Sequence, residues 1–157
     1  MSTRANIEFW TYYQNPKNGG YHKPVKDGLL YHHGDGYPEW MGPRLIKALE
    51  DAKKALIKAG YPYWWDAERV SAVIVSQDAR LPQNVEYHGG IPSFQPCLKL
   101  HGDIEYLWRV YLGPKDGQYR IECYRVEMDW EKDKVKGLKK VRNWKAMAKE
   151  GRFWANP

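Results

Sequence analysis

A stretch of irregular sequence, residues 80–102, brings together side chains that could take part in catalysis. Its three prolines and three glycines exclude a long regular element, so we expect a loop of about 20 residues. Glu86 stands between Val85 and Tyr87, and His88 follows it. Glu86 could act as a general base or a metal ligand, with its pKa raised by partial burial, and His88 as a proton shuttle. The alternative is a solvated loop glutamate, although long loops often carry functional residues.

A second candidate is the pair Asp103 and Glu105. We predict a strand over residues 103–112, on which positions i and i+2 share one face. Two neighbouring carboxylates could hold Mg²⁺, which would polarise a phosphate and activate water. The alternative is the polar outer face of an amphipathic strand, because Ile104 and Trp108 occupy the other face.

The third candidate is His32 and His33, followed by Asp35. Adjacent residues of a strand point to opposite sides of the sheet, so the two imidazoles cannot share one metal without a bulge. No zinc-type spacing links them to the remaining histidines, His22, His88 and His101. We therefore expect His33 and Asp35 to satisfy the backbone of a turn or to line a pocket.

Positive charge is concentrated near the C-terminus. Residues 132–152 contain nine basic and two acidic side chains, a net charge of +7 in a chain whose total is +6. Such a segment favours a polyanionic partner, with Trp144 among the cations for stacking or groove packing. We predict a helix from about Leu138 to Lys149, and the alternative is that this amphipathic helix closes the core with its cations in solvent. The side chains that we expect to contact DNA phosphates are Lys139, Lys140, Arg142 and Lys145.

Other patterns give the elements that must position these candidates. The turn at residues 31–40, rich in glycine, leads into the clearest amphipathic helix, over Pro38–Gly60. A second helix is predicted after Asp66, a good N-cap, from Ala67 to about Gln77. Alternation predicts strands at residues 4–13, 29–33, 103–112 and 118–126. We therefore predict one α+β domain over residues 1–157. Two hairpins would form its antiparallel sheet, two or three helices would pack on it, and residues 132–157 would form a basic segment.

Composition narrows the functional classes. There are 8 tryptophans and 12 tyrosines but only 3 phenylalanines. Side chains with a polar tip suit stacking on bases, although burial in the core is the commoner use. Two cysteines are too few for a disulfide framework, and no apolar run approaches membrane-spanning length. We expect a soluble protein in a reducing interior, without a membrane partner. No phosphate-binding glycine loop and no Gly-x-Ser-x-Gly motif occurs.

Several short motifs resemble those of a known group. These are Met-Ser-Thr-Arg at residues 1–4, Asp-Gly-Tyr-Pro at residues 35–38 with Gly42, and Asp-Ile-Glu-Tyr-Leu at residues 103–107. The chain resembles a group of small proteins from phages and archaeal viruses and, more narrowly, the small nuclease of the Acidianus filamentous viruses. That resemblance implies an α+β fold remotely like the nucleotidyltransferases, activity on linear double-stranded DNA and location in the host cytoplasm. It also implies that Glu86 is the catalytic carboxylate. The Gly-Ser motif of true nucleotidyltransferases is absent, which argues against nucleotidyl transfer.

The sequence thus predicts a nuclease that hydrolyses linear double-stranded DNA through a water activated at Glu86, with Mg²⁺ as the expected cofactor. The alternative from another class is a viral architectural protein that binds DNA through the basic segment without cleaving it. A third reading is a module that binds a host protein through exposed tryptophan and tyrosine.

Overall fold

A computed structural model describes residues 3–61, 64, 66–115 and 117–150. Within them the chain forms six strands and four helices. The strands are β1 (Ala5–Thr11), β2 (Val25–His32), β3 (Phe94–Pro96), β4 (Tyr106–Leu112), β5 (Tyr119–Asp129) and β6 (Lys134–Lys140). The helices are α1 (Pro38–Lys58), α2 (Ala67–Ala79), α3 (Pro82–His88) and α4 (Trp144–Glu150). The α+β class predicted from the sequence is confirmed.

The described strands form one mixed sheet in the order β3-β2-β1-β4-β5-β6. The two central strands, β1 and β4, run parallel, and each other neighbouring pair is antiparallel. The predicted all-antiparallel sheet is therefore wrong, because the helices between β2 and β4 return the chain to the far side of β1. Because β2 is antiparallel to β1, it ends where β1 begins, and a strand that starts at that end and lies beside β1 runs parallel to it. The prediction also missed both edge strands, β3 and β6.

Alternate residues of the strands build the core. Ile7 and Phe9 of β1 and Trp108 and Val110 of β4 are fully buried against the helices. Helix α1 adds the apolar side of its 21 residues, including Leu45. The prediction for α1 holds at both ends: Pro38 occupies the first turn, and Gly60, at φ 79°, follows the C-cap.

The C-terminal part differs from the prediction. The expected helix from Leu138 is instead strand β6 as far as Lys140, and α4 begins at Trp144. The three-residue steps of Val135 and Leu138 suggested a helix, but pairing with the long strand β5 overrides that local pattern. Residues 151–157, the end of the predicted basic segment, lie outside the described residues.

Candidate functional site

The stretch predicted as a loop contains a short helix. Helix α3 starts at Pro82, whose missing N–H is no loss in a first turn, and ends before Gly89, which adopts a left-handed φ of 60°. The prediction of an irregular loop over residues 80–102 is therefore wrong between 82 and 88 and at β3. The prolines and glycines that exclude a long element lie at the ends of the two short elements: Pro82 and Gly89 for α3, and Pro96 for β3.

A buried carboxylate holds α3 and β3 in place. Asp78, at the end of α2, is 2% exposed and lies 2.6 Å from Nη2 of Arg44. Its other oxygen accepts hydrogen bonds from the backbone N–H groups of Ser93 and Phe94. The side chain of Asn84 donates to the backbone carbonyl of Asp78 at 2.6 Å. The whole segment after α2 is thus fixed to one ionised side chain, which needs these partners to be buried.

A cavity of about 460 Å³ lies at this edge of the sheet, where the end of β2 meets the segment after α3. Three histidines, from β2, the turn after it and α3, contribute to its wall. The lining residues are His32, His33, Gly34, His88, Ile91, Pro92, Ser93 and Gln95. The prediction that His33 lines a pocket agrees with this arrangement, whereas in the described structure it is His32 that contacts the turn backbone, at Gly34.

His32 is the buried member of this wall. It is 6% exposed, and its ring packs against Trp40 and Phe94 at centroid distances of 5.3 and 4.8 Å. Nδ1 donates to the Gly34 carbonyl oxygen, and Nε2 is buried without a hydrogen-bond partner among the described residues. Burial lowers the pKa of His32, and the Gly34 contact opposes this in part. The imidazole is therefore neutral at pH 7.

Glu86 lies on α3 but does not line the cavity. Its side chain is exposed, and so are its neighbours Val85 and Tyr87, at 57% and 73%. The expected partial burial of Glu86 is therefore absent. Glu86 and His88 are two positions apart on a helix, which separates their directions by about 200°. The structure brings His88 to the cavity and leaves Glu86 on the solvent side of α3.

Asp103 and Glu105 do not form a pair on a strand. Strand β4 begins at Tyr106, so both precede it, and the predicted strand start at 103 is wrong. Asp103 pairs with Nε of Arg4 at 3.2 Å and accepts hydrogen bonds from the Tyr31 hydroxyl. A carboxylate already engaged by a guanidinium is a poor ligand for Mg²⁺, which requires several oxygen ligands. Among the described residues no group of three or more histidine, cysteine or acidic side chains could hold a metal ion.

The predicted DNA-binding residues surround the end of β6. Lys139 and Lys140 are its last residues, Arg142 lies in the turn after it and Lys145 in the first turn of α4. All are exposed. Lys140 forms an ion pair with Glu122 at 2.8 Å, and the other three have no ion pair within the described part of the chain.

These residues are far from Glu86. Strand β6 is one edge of the sheet and β3, which continues from the α3 segment, is the other. Five strand spacings separate the two edges, a width of about 24 Å. The structure therefore gives two candidate regions at opposite edges: the cavity beside α3, and the basic segment, defined here as residues 134–145.

Sequence reasoning missed the structural importance of Asp78 and Asn84 for this region. Asp78 lies in the last turn of α2, where an acidic side chain is unfavourable toward the helix dipole. That unfavourable position was the available signal for a tertiary partner. Nothing in the spacing of Arg44 and Ser93 connected them to Asp78.

Comparison of the chain with protein-family models, with curated proteins and with solved structures gives no match. In the part of the chain that the structure describes, no helix combines the length and the apolar character that a membrane crossing needs.

Proposed function

We propose that this protein is a nuclease that hydrolyses phosphodiester bonds of linear double-stranded DNA, with Glu86 as its essential carboxylate. The observation that carries DNA binding is the basic segment. Residues 134–145 contain six lysines and arginines and no acidic residue, and each of these cations is exposed. Such a surface neutralises phosphates and releases the counterions that surround duplex DNA.

Two features support cleavage at α3. Glu86 is exposed to a large substrate, so a phosphate could approach it without movement of the chain. The neighbouring cavity presents the exposed imidazoles of His33 and His88, which are suited to accept, donate or relay protons. In this proposal Glu86 accepts a proton from the water that attacks phosphorus, the P–O bond to the leaving oxygen breaks, and His88 relays a proton to that oxygen from the cavity side.

The distance between the basic segment and α3 indicates how long a duplex must be to contact both. A distance of about 24 Å corresponds to roughly seven base pairs of duplex DNA, at about 3.4 Å each. One duplex lying along the molecule could thus contact the basic segment and α3 together. We do not expect Asp103 and Glu105 to hold Mg²⁺, because Arg4 and Tyr31 already contact Asp103.

The competing function is an architectural DNA-binding protein without catalysis. It is favoured by the divergence of Glu86 and His88 on α3, which leaves these two groups facing different points. Lysines on an exposed edge strand also prevent pairing with other chains, so their presence on β6 has a structural use as well.

The test is incubation of the purified protein with linear and with closed circular duplex DNA, each with Mg²⁺ and with EDTA. The proposal predicts that the linear substrate is degraded. Loss of that activity in EDTA would show that a metal ion takes part. Because Asp103 is already paired with Arg4, other side chains would then have to bind the metal ion. Salt-sensitive binding with no cleavage of either substrate would support the architectural function instead.

A further inference from the structure

The sheet has a face that carries no helix among the described elements, here called the open face. It is the side on which Glu8 and Trp10 of β1 project, while Ile7 and Phe9 project to the helices. Register pairs extend this side across the neighbouring strands. The side chains that share it include Arg109, Tyr111, Arg120, Glu122 and Tyr124.

One end of the open face is covered by the segment of residues 97–103. His101 donates its backbone N–H to Oδ1 of Asn6, and its ring stacks on Tyr31 with centroids 3.7 Å apart. Cys97 accepts a hydrogen bond from the Asn6 side chain. The other end, around Trp10, has no such cover in the described chain. The uncovered patch therefore contains the open-face side chains near the end of β1 and the start of β5. It also contains those of β4, which lies between these two strands, and of the adjacent strands β2 and β6.

Planar groups form a continuous array on this patch. The rings of Trp10 and Tyr111 stack with centroids 5.9 Å apart and 27° between their planes. The Arg109 guanidinium lies 5.6 Å from the Trp10 centroid and 4.9 Å from that of Tyr124. Arg120 lies 4.1 Å from the Tyr111 ring. The array therefore spans three strands. Trp10 and Tyr124 are only partly buried, whereas Tyr111 is 9% exposed.

The charges on the patch leave an excess of cations. Each of its two carboxylates is shared by two basic side chains, so that each group of three carries one net positive charge. The ion pairs are Lys26–Glu8 at 3.5 Å, Arg109–Glu8 at 2.8 Å, Arg120–Glu122 at 2.9 Å and Lys140–Glu122 at 2.8 Å. The side chains of Lys26, Arg120 and Lys140 remain 40% exposed or more, so they can also contact a ligand.

Tyr12, which follows β1, extends this array, since its ring lies 6.4 Å from that of Tyr111 and its hydroxyl accepts a hydrogen bond from Arg120. We propose that the open face binds single-stranded DNA, with bases stacked on Trp10, Tyr12 and Tyr124 and phosphates beside Arg120 and Lys140. Partly exposed rings among exposed cations are the combination that single strands recognise, because every base offers a π-face. A duplex hides those faces inside its own stack and presents only base edges. This inference rests on the proposed function for the identification of DNA as the ligand. It adds that the bound DNA is single-stranded, as it is at a separated end of a linear substrate.

The first test is fluorescence anisotropy with a labelled strand of about 15 deoxythymidines, in EDTA, with the strand checked on a gel for integrity. An abasic strand of equal length and a hairpin duplex are measured beside it. The expected result is that removing the bases weakens binding of the single strand by at least ~10-fold. Equal affinity for the abasic strand would overturn the proposal, since phosphate contacts alone would then explain binding.

The second test uses Trp10→Leu and Tyr12→Leu as separate variants, because both rings also contact Tyr111, at centroid distances of 5.9 and 6.4 Å, and either change alone could disturb the fold. The control is Trp130→Leu, at a tryptophan that is 72% exposed on the turn between β5 and β6. Either open-face variant, folded as judged by circular dichroism, should weaken single-strand binding by roughly 10-fold and leave the hairpin duplex unaffected. The control should match the wild type for both ligands.

The outcomes separate this inference from the proposed nuclease. Loss of single-strand binding with retained duplex cleavage in Trp10→Leu would support the open-face proposal. The same result would not bear on the proposed catalytic role of Glu86. Duplex binding without measurable single-strand binding would overturn the open-face proposal alone. A wild-type dimer in sedimentation that Trp10→Leu converts to monomer would also overturn it, because a second copy would then cover this face.

Discussion

Nη2 of Arg44 and Oδ1 of Asp78 lie 2.6 Å apart in the interior, with side-chain exposures of 11% and 2%. This ion pair joins the second turn of α1 to the end of α2, and through Ser93 and Phe94 it fixes the cavity wall. Removal of one partner leaves a buried charge without compensation. Asp78 therefore controls the position of α3, on which Glu86 and His88 lie.

Asp78→Ala should lower the free energy of unfolding by about 3–5 kcal/mol, as expected when a buried pair loses one member. Chemical denaturation followed by circular dichroism measures this. The control is Asp51→Ala, which removes an exposed pair with Lys47 at 2.9 Å on α1 and should cost about 0.3–0.5 kcal/mol. Similar losses in both variants would show that Asp78 is not the anchor of this region.

Gly36 is required by close packing between the turn after β2 and the start of β1. A Cβ at this position would lie 2.6 Å from Cβ of Ala5 and 3.0 Å from the Thr3 carbonyl oxygen. Gly36→Ala should therefore reduce the free energy of unfolding by about 1–3 kcal/mol. Gly137→Ala is the control, because its Cβ would meet Glu127 at an ordinary 3.5 Å. An unchanged melting temperature for Gly36→Ala would contradict the geometry of the turn.

The buried His32 should make stability depend on pH in the weakly acidic range. Burial lowers its pKa in the folded protein, while in the unfolded chain the imidazole has its ordinary pKa of about 6.5. Between these two values the unfolded state binds more protons, so the free energy of unfolding falls as pH decreases below about 6.5. Above about pH 6.5 the imidazole is neutral in both states, so its titration no longer lowers the free energy of unfolding. Melting temperatures between about pH 7.5 and pH 5 measure this dependence.

The variants for this prediction are His32→Gln and, as control, His33→Gln at the exposed histidine of the same cavity wall. His32→Gln should flatten the dependence, whatever its effect on absolute stability, and His33→Gln should keep the wild-type slope. A wild-type slope in His32→Gln would assign the effect to other groups.

Affinity for duplex DNA should depend on the lysines of β6. The triple variant Lys134→Gln, Lys136→Gln and Lys139→Gln should bind more weakly, and the slope of log affinity against log salt should decrease by ~0.9 for each phosphate that the variant no longer neutralises. The control removes the same charge from exposed lysines elsewhere, Lys17, Lys54 and Lys58. Equal effects of the two triple variants would mean that only net charge matters, and that the basic segment is not a binding surface.

How much of this molecule the sequence predicts depends on how local each feature is. Helix α1 and the N-cap of α2 were predicted because their signals lie within one turn: Pro38 and Gly60 for the former, and Asp66, which accepts from the Arg69 N–H at 3.2 Å, for the latter. The end of β6, from Leu138 to Lys140, was predicted as helix because its strand conformation depends on pairing with β5.

The site was less predictable than the fold. Glu86 and His88 were identified as polar residues of one segment, but α3, which sends them in different directions, was not. Asp103 and Glu105 precede β4 rather than lying on it, and Asp103 contacts Arg4 and Tyr31, residues that are distant in sequence. Contacts of this kind leave no periodic pattern in a single sequence.

The most direct measurement is the cleavage rate of linear duplex DNA by Glu86→Gln, with affinity determined on the same preparation. The control is Glu68→Gln, at an exposed glutamate in the first turn of α2, at the opposite end of that helix from α3. We predict a fall in cleavage rate of roughly 100- to 10,000-fold for Glu86→Gln, with unchanged affinity and stability, and wild-type behaviour for Glu68→Gln. Wild-type cleavage by Glu86→Gln would contradict the assignment of Glu86 as the essential carboxylate.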